Sequence, residues 1–89
     1  MSNVFIALQR NEETRCIVEA ILEDNPTATL NTQPAMVRID APNRMVIRKG
    51  TIEDKLGRAF DLQELHVNLI SLTGNIDETD DEFTLSWRH

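Results

Sequence analysis

The sequence is short of the residues on which cofactor chemistry depends. Its 89 residues include one cysteine, Cys16, and two histidines, His66 and His89. A single cysteine cannot close an internal disulfide, and it fits a cytosolic setting. It also excludes an iron–sulfur cluster, which takes about four cysteines or a cysteine–histidine mixture. A di-iron carboxylate centre takes several glutamates and two Glu-x-x-His motifs on facing helices. Here His66 follows Glu64 by two positions and His89 is terminal. With three glycines there is no Gly-x-Gly-x-x-Gly turn and no phosphate-loop lysine, so flavin, nicotinamide and nucleotide folds have no support. The expectation is a chain with no cofactor and no metal of its own.

Other absences narrow the setting. Three phenylalanines, one tryptophan and no tyrosine argue against a dedicated pocket for an aromatic ligand. No apolar run approaches the roughly 20 residues a membrane helix needs. Met1-Ser2-Asn3-Val4 has neither the basic region nor the apolar core of a signal peptide. A net charge of −6 repels nucleic acid and anionic membrane alike. The expected protein is soluble and cytoplasmic, with neither nucleic acid nor membrane as partner.

What is present suits one small domain over residues 1–89. A chain of this size buries about 60–65% of its unfolded surface, enough for one modest core. Val4, Ile6 and Leu8 share one face of a first strand, and Phe5 and Ala7 give it a second apolar side. Asn11 reads as a helix N-cap, with Glu12 and Glu13 in the first turn. Ile17, Val18, Ile21 and Leu22 make a stripe at helical spacing, and Asn25-Pro26 stops that helix. Thr27 to Gln33 is an exposed strand, interrupted at Pro34-Ala35.

Val37 and Ile39 alternate with Arg38 and Asp40, and Met45 and Ile47 with Arg44, Val46 and Arg48. The Ala41-Pro42-Asn43-Arg44 turn between them predicts a hairpin. Gly50-Thr51 opens a short helix, with Thr51 as cap and Asp54 completing a weaker capping box. Ile52 and Leu56 face inward and Gly57 ends or kinks it. Leu65, Val67 and Leu69 alternate as a strand. A long loop begins at Gly74-Asn75, and Phe83, Leu85 and Trp87 form the last strand. The order β-α-β-β-α-β-β with hairpin connections places the chain in the α+β class, a mainly antiparallel sheet with two helices.

Side chains with chemical potential read plainly. Cys16, beside the helix stripe, is a small, partly buried apolar residue, since nothing basic is placed to activate it. His66 reads as a surface strand residue ahead of a general base, since no nucleophile or orienting pair is evident, and Trp87 reads as core ahead of an interface anchor. Asp77-Glu78-Thr79-Asp80-Asp81-Glu82 lacks the spacing and central glycine of an EF-hand loop. It reads as a solvated, extended and mobile loop, compatible with steering toward a basic partner. Charge is distributed unevenly. Arg38 to Arg58 carries a balance of +3, through Arg38, Arg44, Arg48, Lys49, Lys55 and Arg58 against Asp40, Glu53 and Asp54, and the remainder carries −9. Arg44, Arg48 and Arg38 projecting from one sheet face would be either a solvated face or one side of a docking surface.

Several blocks, in their order and spacing, carry a resemblance. They are Ile17-Val18-Glu19-Ala20-Ile21 with Asp24-Asn25-Pro26, Val37-Arg38-Ile39, Leu56 through Leu69, and Asn75-Ile76-Asp77. Within them lies Gly57-Arg58-Ala59-Phe60, a Gly-Arg-Ala-aromatic motif. From Val4 to Trp87 the chain resembles the small regulatory (coupling) proteins of bacterial multicomponent monooxygenases, most closely the phenol hydroxylase branch. The long tails of methane-oxidising members are missing.

The resemblance implies a compact, cofactor-free α+β domain that docks on a di-iron hydroxylase above its metal centre. There it would alter substrate access, oxygen reactivity and the coupling of electron use to product. It also implies that the segment before the glycine–arginine motif, Thr51, Ile52, Glu53, Asp54 and Lys55, approaches the active-site side of the partner. Gly57 and Arg58 match by identity, although Gly57 serves equally as a helix end. The expected interface is therefore Thr51, Glu53, Asp54, Lys55, Gly57 and Arg58 with the adjacent Arg44 and Arg48. Replacing Arg58 by glutamate is expected to weaken docking and leave the fold intact. Two readings compete with this one. A free-standing domain would bind a small aromatic molecule between sheet and helices, and a small enzyme is disfavoured because no nucleophile–base–orienter set exists.

Overall fold

The computed structural model describes residues 3–87. Met1, Ser2, Arg88 and the terminal His89 lie outside the described residues. The first strand, β1 (Asn3–Gln9), is central to a four-stranded antiparallel sheet of order β2-β3-β1-β5, with β2 at Thr29–Thr32, β3 at Met36–Pro42 and β5 at Leu69–Leu72. A second antiparallel sheet has the order β4-β7-β6, with β4 at Arg44–Arg48, β6 at Asn75–Glu78 and β7 at Glu82–Ser86. Three helices complete the fold: α1 (Glu12–Asp24), α2 (Lys49–Leu56) and α3 (Gln63–Asn68). The α+β class and the antiparallel pairing hold. The element order is longer than expected, β-α-β-β-β-α-α-β-β-β, and the strands divide between two sheets.

One buried cluster joins these parts. Val4, Ile6 and Leu8 from β1 and Val37, Ile39 and Ala41 from β3 meet Met45, Ile47, Phe83 and Leu85 of the second sheet. Ile17, Ala20 and Ile21 of α1, Ile52 of α2 and Leu65 of α3 close it. The period-2 strand faces and the 3.6-period helix stripe thus converge on a single interior. On the other face of β1, Phe5 lies under the Arg38 guanidinium, 3.9 Å from the ring centroid. Arg38 is held there by two-point contact with Asp40 at 3.0–3.2 Å.

The expected hairpin between residues 37–40 and 44–48 does not form. The chain leaves the first sheet at Pro42 and enters the second at Arg44. Between them Asn43 takes a left-handed conformation, φ 65°, one that asparagine tolerates better than most residues. This one-residue corner redirects β4 to pair with β7 instead of β3. The free edge of β4 is then met by a side chain. Asn25 Oδ1 accepts from the Val46 N–H at 2.9 Å, and its Nδ2 donates to Val46 O and Ile21 O, each at 2.7 Å. Asn25, expected only as a helix stop, pins the end of α1 to the second sheet.

Three more expectations are corrected. Residues 65–69 are not a strand. Asp61 Oδ1 accepts from the Gln63 N–H at 2.9 Å and Glu64 Oε2 accepts from the Asp61 N–H at 3.0 Å, a reciprocal cap that starts α3. The helix buries Leu65 and Asn68 and leaves Val67 75% exposed, whereas a strand would have buried Leu65 and Val67 on one face. Half of the acidic segment is strand and not loop. Asp77 and Glu78 lie on β6 and Glu82 on β7, and Thr79 closes the turn by bonding across to Glu82. Ladder hydrogen bonds outweigh the repulsion of its exposed charges, which water screens. Trp87 lies beyond β7 and outside the core, 40% exposed, with its indole N–H donating to Asn3 O at 2.9 Å.

Two sets of variants check this reading. Asn25→Ala removes three buried or partly buried hydrogen bonds and should cost about 1–3 kcal/mol, seen as a lower urea midpoint with unchanged slope. An unchanged midpoint would mean that water replaces the pin. Gly74 has φ +102°, and an added Cβ would lie 2.9 Å from Val4 Cγ1 and 3.3 Å from Ser86 O. Gly74→Ala should therefore destabilise by about 2 kcal/mol or more. Gly50→Ala, in open space within α2, should instead stabilise by about 0.5 kcal/mol. Thermal melts of the pair should move in opposite directions.

Candidate docking surface

The segment expected to reach a partner begins where β4 runs into α2 without a break. Arg48 is both the last residue of β4 and the N-cap of α2. Its backbone is extended and no side chain caps the helix, so the expected capping roles of Thr51 and Asp54 are not taken up. Ile52 is fully buried and Leu56 packs against the core, which fixes the inner face of α2. Thr51, Asp54 and Lys55, spaced i, i+3, i+4, share another face. Lys55 Nζ donates to Glu23 Oε1 on α1 at 2.9 Å. That hydrogen bond, reinforced by the same carboxylate's charge, raises the Lys55 pKa above its ordinary value.

Gly57 ends α2 in a left-handed conformation, φ 74°, its N–H donating to Glu53 O at 2.8 Å. A residue with a Cβ is strained at such a position, which is why glycine serves as the stop. The next residues are tied on several sides. Phe60 is buried at 2% exposure, and its N–H donates to Glu53 Oε2 at 2.9 Å. Glu53 is therefore occupied in holding the loop.

Arg58 is more occupied still. Its Nη2 donates to Glu13 Oε2 at 2.7 Å and to Glu64 Oε1 at 3.4 Å, and its Nη1 to Ala59 O at 2.9 Å. The Glu64 carboxyl is held below its ordinary pKa chiefly by the Asp61 N–H, against the opposing effect of burial, with Arg58 adding to the lowering.

The basic residues separate into two places. Arg44 and Arg48 lie on one exposed face of the second sheet, opposite Ser86 and Glu82 in register, with Arg48 Nε 3.5 Å from Glu82 Oε2. Arg38 belongs to the first sheet and is neutralised by Asp40. The single basic face drawn through Arg38, Arg44 and Arg48 does not exist. The structure does bring Arg44, Arg48 and the outward face of α2 along one continuous stretch of chain.

Sequence reasoning missed His66 as a joint. Its ring meets Phe83 edge-on at 5.7 Å and its Nε2 lies 3.6 Å from Glu78 Oε1, which ties α3 to the second sheet. It also missed Glu13, Asn68 and Asn11 as partners in one polar cluster. The cue for α3 was present as Asp61-Leu62-Gln63-Glu64, an Asp-x-x-Glu start signal. Cys16 is half-buried on α1, as expected. Among the described residues no three metal-ligating side chains converge, and no helix is long and apolar enough to cross a membrane.

The likeness to known proteins runs the length of the chain. A sequence profile of the MmoB/DmpM family matches residues 2–86. The stimulatory component DmpM of phenol 2-monooxygenase from Pseudomonas sp. (strain CF600) is 50% identical over 88 residues, spanning 99% of this chain and 98% of that protein. A chain in a solved phenol hydroxylase–regulatory protein complex superposes with a TM-score of 0.93 at 50% identity, covering 98% of this chain and 100% of that one. Regulatory protein B of soluble methane monooxygenase shares the fold at 23% identity, with a TM-score of 0.76. This chain spans 97% of itself and 65% of that longer protein. On the strength of the profile match and the end-to-end identity, the chain belongs to the MmoB/DmpM family.

Proposed function

We propose that this chain is the cofactor-free regulatory component of a multicomponent phenol monooxygenase. It docks on the di-iron hydroxylase and promotes coupled hydroxylation of aromatic substrates, and does no chemistry alone. The observation that carries this reading is the end-to-end match, in sequence and in backbone, to a regulatory protein seen in complex with phenol hydroxylase. The reading places the chain in the cytoplasm with its partner. The docking surface is the outward face of α2, Thr51, Asp54 and Lys55, with Glu53, Gly57 and Arg58 shaping its end and Arg44 and Arg48 beside it.

Size and physics agree with such a role. A specific interface takes about 800 Å² per partner, a modest part of the 5293 Å² surface of this chain. An effector without chemistry of its own can act only by binding one conformation of the hydroxylase better than another. A rigid, well-packed segment is suited to that task because little conformational freedom is lost on docking.

The test is phenol-dependent turnover by a purified phenol-type di-iron hydroxylase with its reductase, titrated with this chain. Product per reduced nicotinamide consumed should rise and saturate near a stoichiometric ratio. A flat response with a cognate hydroxylase, accompanied by phenol binding to the isolated chain, would favour the small-molecule reading instead. Arg44→Glu, at an exposed position, should raise the half-saturating concentration about 3–10-fold and change its dependence on salt, with an unaltered circular dichroism spectrum. Wild-type behaviour in this variant would remove the β4 face from the surface.

A further inference from the structure

Arg58 is the motif residue best placed by sequence to serve as a docking cation, yet its guanidinium is turned onto its own chain. Two carboxylates, Glu13 and Glu64, bracket it, so the cluster carries a net negative charge and offers no free cation to a partner. Both carboxylates are held from behind. Glu13 Oε1 accepts from Asn68 Nδ2 at 2.8 Å, and Asn68 Oδ1 accepts from Asn11 Nδ2 at 2.9 Å. Glu64 Oε2 accepts from the Asp61 N–H at 3.0 Å. Asn68 is 6% exposed, so the inner end of this network is shielded from water. A lone surface ion pair contributes little, but a connected and partly buried network holds its members in one arrangement.

The network spans three separate pieces of chain. Asn11 and Glu13 belong to the start of α1, Asn68 and Glu64 to α3, and Arg58 to the loop between α2 and α3. That loop follows Gly57, whose backbone is the least restricted of any residue type. Without a tie beyond it, the loop could turn at this point. The Glu53 bond to Phe60 restrains one side, and the Arg58 bridge restrains the other.

We propose that Arg58 is a positioning residue that acts through Glu13: the Glu13–Arg58–Glu64 bridge holds residues 57–61, and the end of α2 with them, in the arrangement that docks. This inference rests on the docking function proposed above. Arg58 then contributes to binding by pre-organising the surface, and its guanidinium does not bond the hydroxylase.

A double-variant cycle tests it. Arg58→Gln and Glu13→Gln should each raise the concentration of this chain that half-saturates hydroxylase stimulation by about fivefold. The double variant should be no worse than the poorer single, because each change breaks the same bridge. Losses that multiply, or normal stimulation by Glu13→Gln beside impaired stimulation by Arg58→Gln, would put Arg58 in contact with the partner and overturn the proposal. So would normal stimulation by both. Amide hydrogen exchange at Phe60 and Asp61 in the free chain gives an independent readout, and both single variants should accelerate it. Unchanged exchange would overturn the bridge alone, whereas failure of the unmodified chain to stimulate the hydroxylase would overturn the docking function on which the bridge's role depends.

Discussion

Two small sheets share one apolar interior without a backbone ladder between them, and the rest of the structure follows from that constraint. Neither the four-stranded nor the three-stranded sheet offers enough buried surface to stand alone in a chain this short. Each must cover the other's inner face with help from α1, α2 and α3. Apolar contact is non-directional and does not set how two sheets are placed. The directional bonds at the seams supply that information. Asn25 reaches from α1 to the edge of β4, Trp87 bonds back to the start of β1, and His66 links α3 to β6 and β7. Asn43 and Gly74, both at positive φ, make the backbone corners where the chain passes between sheets.

This division explains which parts of the fold were legible in the sequence. Strand faces and helix stripes are periodic, so β1, β3, β4, β7 and α1 could be read from the spacing of their apolar residues. The Asn11 cap and the Gly57 stop were readable because each is a local bond or a local dihedral. Pairing across the seams is neither periodic nor local. A turn rich in proline and asparagine looks the same whether it closes a hairpin or carries the chain into another sheet, and what decides is the distant pairing of β4 with β7. Leu65, Val67 and Leu69 alternate as a strand would, but six residues are too few to separate the two periods. There the Asp61–Glu64 cap outweighed the alternation. The acidic stretch was misread because charge repulsion was weighed without the ladder that offsets it.

The resemblance implies that Thr51 to Arg58 meets a partner, but motif and order say less about what each side chain does. They do not distinguish a side chain that faces outward from one bound to its own fold, because both tasks use the same charged residue types. Glu53 and Arg58 look like surface charges in the sequence, and in the structure both act as internal ties. Thr51, Asp54 and Arg44 are more available for contact. The negative charge outside the 38–58 stretch is partly used at home as well, by Glu13, Glu23, Glu64 and Glu82 as ion-pair partners.

A regulatory protein without a cofactor has only its shape and its surface charge with which to act. Its effect on a partner is limited by how much better it binds one partner conformation than another. A flexible docking segment reduces that difference, because it adapts to either conformation and loses freedom in doing so. A segment fixed in advance discriminates more strongly at the same contact area. The polar network around Arg58, from Asn11 and Glu13 through Asn68 and Glu64, would meet this requirement if the proposed surface is the one that docks. Glu13 and Glu64 together hold one cation, Arg58, so two carboxylates fix the loop that follows Gly57 to α1 and α3.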